Sequence, residues 1–76
     1  METLAELKIG QRAIIIDFNI DTIPLKLLEM GCLPGNEVEM LQIAPLGDPI
    51  YITVNDSHVA IRKETASQIN IELLIE

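Results

Sequence analysis

Residues 30–49 read Met-Gly-Cys-Leu-Pro-Gly-Asn-Glu-Val-Glu-Met-Leu-Gln-Ile-Ala-Pro-Leu-Gly-Asp-Pro, and this stretch decides the fold. Two turn signatures, Leu33-Pro34-Gly35-Asn36 and Pro45-Leu46-Gly47-Asp48-Pro49, flank an apolar run too short for an ordinary helix. Pro34 presets φ near −65° at the second position of a turn, and Gly35 supplies the positive φ that a type II turn needs next. Pro45, Gly47 and Pro49 together exclude a helix or a central strand from the second segment. A strand held between two rigid turns belongs to a small β-barrel rather than to a helical bundle.

Working outward, Arg12 to Phe18 alternates, with Ile14, Ile16 and Phe18 on one face and Ala13, Ile15 and Asp17 on the other, so it reads as a strand. The alternation assigns Ile14, Ile16 and Phe18 to the core. Asp21 or Thr22 then offers a helix N-cap, and Pro24 is tolerated in a first turn. Ile23, Leu27 and Met30 form the apolar stripe of a short helix that Gly31 can end at the C′ position. Glu37 to Ala44 is the next strand, with Val38 and Met40 inward. Its alternation fails at Leu41 and Ile43, which predicts a bulge or a strand covered on both faces. Ile50, Ile52 and Val54 mark a third strand, and Asn55-Asp56 a hairpin turn whose side chains tolerate the left-handed region. Val59 and Ile61 mark a fourth strand. Glu64 to Gln68 suits one helical turn, and Ile69, Ile71, Leu73 and Ile75 define a closing strand. Five short strands with one helix inserted between the first and second fit a mainly β, SH3-like barrel.

Seventy-six residues make one domain, expected to span residues 1–76. With only Phe18 and Tyr51 aromatic, its core must be built from Ile, Leu and Val. The longest apolar run, Ala13 to Ile16, is four residues, against the ~20 that a membrane-spanning helix needs. The first residues are acidic where a secretory signal is basic, so a cytoplasmic location is expected. A single cysteine, Cys32, cannot form an internal disulfide, in keeping with a reducing compartment. Twelve acidic against five basic residues leave a net charge of −7, which repels nucleic-acid phosphates and anionic lipid headgroups.

The sequence resembles the FeoA family, small cytoplasmic proteins of bacterial ferrous-iron uptake. Three blocks carry the resemblance: Leu27, Leu28, Met30, Gly31, Pro34 and Gly35; then Pro45 to Pro49; then Ala60, Ile61, Arg62, Lys63, Ala66 and Ile69. Each block alone is weak; the three in order and at the family's spacing are specific. The sequence departs from the family where Asn55-Asp56 stands in a hairpin that often holds glycine, and in the short Asn19 to Thr22 loop. The resemblance implies an SH3-like barrel and a partner, the ferrous-iron transporter FeoB with its cytoplasmic GTPase domain. It implies support or regulation of that transporter rather than catalysis.

The residues themselves agree on catalysis. Ser57 and His58 are adjacent, so on a strand they point to opposite faces and cannot form a nucleophile–base pair. No glycine-rich phosphate loop occurs. No resident cofactor is expected. Weak transition-metal binding is the alternative, as in an iron carrier or a sensor domain related to the C-terminal domain of metal-dependent repressors. A closed transition-metal site wants about four ligands, mostly His or Cys, and Cys32 and His58 could be joined only by Asp48 or Asp56. The plainer reading makes Cys32 a small apolar filler and His58 a solvated residue beside a hairpin. A groove for proline-rich ligands needs several aromatic rings, and Tyr51 stands alone. Arg62 has the chemistry of a finger into a GTPase site, but a lone Arg on a strand is more often a solvated ion-pair partner.

Protein binding is therefore the expected function, and the Pro45–Pro49 loop the expected site. Leu46 sits at its tip, where two prolines would present it at little ordering entropy. The expected partner surface joins Pro45, Leu46, Gly47 and Asp48 to Met30, Leu33 and Pro34 in one apolar patch, the same surface serving for self-association. The competing expectation has Leu46 folding back to cap the open end of the barrel.

Overall fold

The computed structural model describes residues 2–75. One antiparallel sheet of six strands curves around an aliphatic core in the order β1-β6-β2-β3-β4-β5. The strands are β1 (Glu2–Thr3), β2 (Arg12–Phe18), β3 (Glu37–Ile43), β4 (Ile50–Val54), β5 (Ser57–Ile61) and β6 (Ile69–Leu73). Two short helices, α1 (Leu25–Glu29) and α2 (Lys63–Ala66), occupy the β2–β3 and β5–β6 connections. The sixth strand relative to expectation is β1, which pairs Glu2 with Ile71 and Thr3 with Asn70. Two residues are too few for alternation to reveal. The 3₁₀ turn that follows is held by the Thr3 N–H and hydroxyl, both donating to Glu6 Oε1 at 3.0 and 3.1 Å.

The β2 phase is the main correction. Ala13 and Ile15 are buried, whereas Ile14 is half-buried and Ile16 is 38% exposed. All four residues from Ala13 to Ile16 are apolar, so alternation marks a strand without saying which face is inside. Pairing to β6 decides it: Ile15 sits opposite Ile71, Asp17 opposite Asn70, and Ile16 is the extra residue of a bulge between them. The bulge restores Phe18 to a half-buried place against the core, as expected of it. Asn70 Nδ2 donates to Asp17 Oδ1 at 2.6 Å on the outer face.

The bulge anticipated in β3 is present at Leu41, where pairing to β4 shifts register between Met40 and Gln42. Val38 and Met40 point inward, with Ile50, Ile52, Val54, Val59, Ile61, Ile69 and Ile71 from the other strands. The expected helix is shorter than its stripe suggests. Asn19 caps a 3₁₀ turn over Ile20–Thr22 through a 3.0 Å bond from the Asp21 N–H, and α1 begins only after Pro24. Ile23 and Leu27 are buried and Met30 packs at the core's edge. Gly31, at φ +105°, ends α1 in a Schellman motif. There the Cys32 N–H donates to Leu27 O at 3.0 Å and the Gly31 N–H to Leu28 O at 3.1 Å. The Asn55-Asp56 turn has φ of 53° and 65°, as a two-residue hairpin of the primed class requires. Leu73 ends β6, so Ile75 lies beyond the closing strand and is exposed.

Candidate functional site

The first of the two diagnostic turns is built as its residues predict. Gly35 has φ +93°, and the Asn36 N–H donates to Leu33 O at 3.1 Å, closing the turn. The Gly35 N–H donates to Ile15 O at 2.8 Å and Asn36 O accepts from the Ile15 N–H at 3.0 Å, tying the turn to β2. Asn36 Nδ2 also donates to Gly31 O at 2.7 Å. Leu33 is thereby held outward, 44% exposed, with Pro34 exposed beside it.

The second turn presents Leu46 more fully. Leu46 is 96% exposed, so it does not cap the barrel. The Gly47 N–H donates to Ala44 O at 2.7 Å, and the Ala44 N–H to Pro49 O at 3.0 Å. The Asp48–Pro49 peptide bond is cis. Asp48 Oδ1 accepts from the Lys63 N–H at 2.9 Å, so this carboxylate binds a free backbone donor at the start of α2. That contact anchors the loop across fifteen residues of sequence. No local pattern could have announced it, since Asp48 and Lys63 meet only because β4 and β5 fold back on each other.

The expected single patch is two patches. Met30, Leu33 and Pro34 lie at the α1 end, before β3 starts; Pro45, Leu46, Gly47 and Asp48 lie after it ends. Seven residues of strand separate them, a span on the order of 20 Å. The neighbour of the α1 end is instead the Asn55-Asp56 turn: a Cβ on Gly31 would stand 2.9 Å from Asn55 Cβ. Ile20 and Leu25, 64% and 68% exposed, extend the apolar surface on the α1 side. They fall outside the helical stripe, so periodicity does not mark them.

The metal-type residues are dispersed. Cys32 is wholly buried, and that burial pushes its thiol above the ordinary value of 9.0, away from the thiolate a metal would need. His58 is exposed on the outer face of β5. Among the described residues no group of three or more His, Cys, Asp or Glu side chains is placed to hold a metal ion. No helix among them is long and apolar enough to cross a membrane.

The FeoA domain family matches residues 2–73. The chain belongs to the FeoA family. FeoA domains are non-catalytic accessory domains of ferrous-iron transport. Among solved structures, the chain is similar to the FeoA protein of Chlorobium tepidum, with a TM-score of 0.88 and 30% identity over 97% of this chain and 71% of that one. It is also similar to the Stenotrophomonas maltophilia FeoA complexed with zinc, described as a procaryotic SH3 domain protein, with a TM-score of 0.80 and 27% identity. That match covers 95% of this chain and 91% of the other. The SH3-like fold expected from the strand pattern is therefore shown. A Porphyromonas gingivalis fusion of Fe(2+) transport protein A with the Fe(2+) transporter FeoB is 38% identical over 72 residues. That alignment takes in 93% of this chain and 8% of the fusion protein, so the chain corresponds to a small part of that relative.

Proposed function

We propose that this FeoA domain, one domain spanning the chain, is a cytoplasmic protein-binding module that docks on a FeoB-type transporter at its GTPase region and regulates iron uptake. The observation that carries the reading is the Porphyromonas gingivalis polypeptide, in which a FeoA-like segment and FeoB are one chain. Fusion keeps two partners at high effective concentration, which is useful where the separate proteins must meet. The contact surface proposed is the Pro45–Pro49 loop, with the Met30, Leu33 and Pro34 corner as a separate second contact. Leu46 supports the loop: a large apolar side chain, almost wholly in solvent, on a loop held by two backbone hydrogen bonds and one to the Asp48 carboxylate. Little ordering entropy is lost when such a side chain enters a partner's pocket.

The test is capture of the transporter's purified cytoplasmic domain, with and without guanine nucleotide. Leu46→Asp is expected to keep a near-normal melting temperature and lose binding. Binding as strong as wild type would move the interface away from this loop. Metal carriage is the competing reading, and the zinc in the Stenotrophomonas maltophilia FeoA is the observation in its favour. Calorimetric titration of the chain with zinc or ferrous ion separates the two. Stoichiometric uptake at micromolar metal would favour the carrier, and absence of heat the binding module.

A further inference from the structure

Strand β5 lies at the end of the sheet and, among the described residues, pairs only with β4. Its hairpin has a two-residue turn, so Val54–Ser57, Ile52–Val59 and Ile50–Ile61 are the pairs that exchange backbone hydrogen bonds. The N–H and C=O groups of His58 and Ala60 consequently face away from β4, along the open edge. No hydrogen bond among the described residues occupies them. Edge strands are ordinarily blunted by a lysine, a proline, a bulge or extreme shortness. The opposite edge, β1, is only two residues long. β5, Ser-His-Val-Ala-Ile, has none of these devices, and its register with β4 is unbroken.

The charges that flank β5 are opposite in sign. Asp56 precedes it and Arg62 follows it; both are exposed, and neither side chain has an ion pair or hydrogen bond among the described residues. We propose that β5 pairs with β5 of a second copy of this chain, antiparallel about a two-fold axis at Val59. In that register His58 of each copy faces Ala60 of the other, and each such pair exchanges both backbone hydrogen bonds. The same register brings Asp56 of each copy opposite Arg62 of the other, so the ion pair forms twice. Sliding the axis to Ala60 sets Asp56 against Glu64, and sliding it to His58 sets Asp56 against Ala60. Only the axis at Val59 satisfies both the backbone and the charges. A five-residue edge gives a small interface, so the dimer is a concentration-dependent one.

The test uses the purified chain alone and stands independently of the transporter reading. Sedimentation equilibrium from about 10 µM to about 1 mM, the range in which small interfaces associate, is expected to show monomer and dimer. Ala60→Pro deletes an edge-facing N–H, a substitution edge strands tolerate, and is expected to be folded and monomeric. Arg62→Glu and Asp56→Lys should each weaken association by about tenfold or more, because each places like charges face to face. Mixing those two variants should restore dimerisation as a heterodimer, since each then supplies the charge the other lacks. That rescue keeps the test sound should Ala60→Pro fail to fold. A wild-type chain monomeric throughout the range overturns the proposal. So does a folded Ala60→Pro variant that dimerises as wild type, or a mixture without rescue.

Discussion

Gly31 and Gly35 are both at positive φ, yet they differ in what surrounds them. Beyond its chain neighbours, none of the described residues comes within 4 Å of a Cβ placed on Gly35, whereas one on Gly31 would meet Asn55 Cβ at 2.9 Å. Gly35→Ala should therefore cost about 1 kcal/mol, the conformational penalty alone. Gly31→Ala adds a steric clash and should cost roughly 2 kcal/mol or more. Adding Asn55→Gly to Gly31→Ala should recover part of that loss, because it removes the atom in the way and suits the φ of 53° at that position. Urea unfolding of the four proteins measures the coupling, and strict additivity would contradict the contact. Cys32 makes a pH prediction. Burial raises its pKa in the folded state, so its contribution to stability is whole below the unfolded value near 9.0 and drains away as pH rises through the folded one. Unfolding free energy should fall above about pH 9 in the wild type, and Cys32→Ala should flatten that fall.

At the scale of elements, β2 offers the sharpest test because two phases of the same strand were open to it. Ile15 is buried and Ile16 partly exposed at the bulge. Ile15→Ala should cost roughly 3 kcal/mol by opening a cavity, and Ile16→Ala less than about 1 kcal/mol. Equal losses, or the reverse order, would return β2 to the opposite phase. Ile52→Asp, in the middle of β4, buries a carboxylate with no partner and should abolish the cooperative thermal transition of so small a domain. The helices depend on packing in the same way. Five residues of α1 and four of α2 are far too short to persist alone, so their caps and the core beneath them hold them.

For the whole molecule, the acidic balance limits partners more than it chooses them. At −7, the chain should give no shift of duplex DNA or RNA in a gel assay at physiological salt. Lys8, Arg12, Lys26, Arg62 and Lys63 would have to gather into one patch to overcome that repulsion, and Arg12 is engaged with Glu37 at 3.3 Å. Salt-sensitive binding in that assay would revive a repressor-like reading. The contacts proposed above use apolar and backbone groups left at its margins instead: Leu46 at one end of β4, Leu33 beyond the start of β3, and the unpaired edge of β5.

The local chemistry of residues 30–49 was enough to specify two turns, the strand between them and a break in its alternation, which pairing with β4 then resolves as a bulge. Pro34, Gly35 and Gly47 have narrow backbone preferences, and the loss of alternation after Met40 is a local fact. Val38, Met40, Ile52, Val54, Ile61 and Ile71 were legible as core for the same reason, each having a polar or small residue as its neighbour on the strand. The face of β2 that turns inward was not legible, because a run of four apolar residues satisfies either phase until β6 pairs with it. The two-residue strand β1 is defined only by its partner. Nor could the chain's local preferences say that the two turns stand at opposite ends of β3, that Asp48 anchors its loop to Lys63, or that the edge of β5 stays open. Those are relations between segments distant in sequence. Only the curling of the sheet around one shared core decides them.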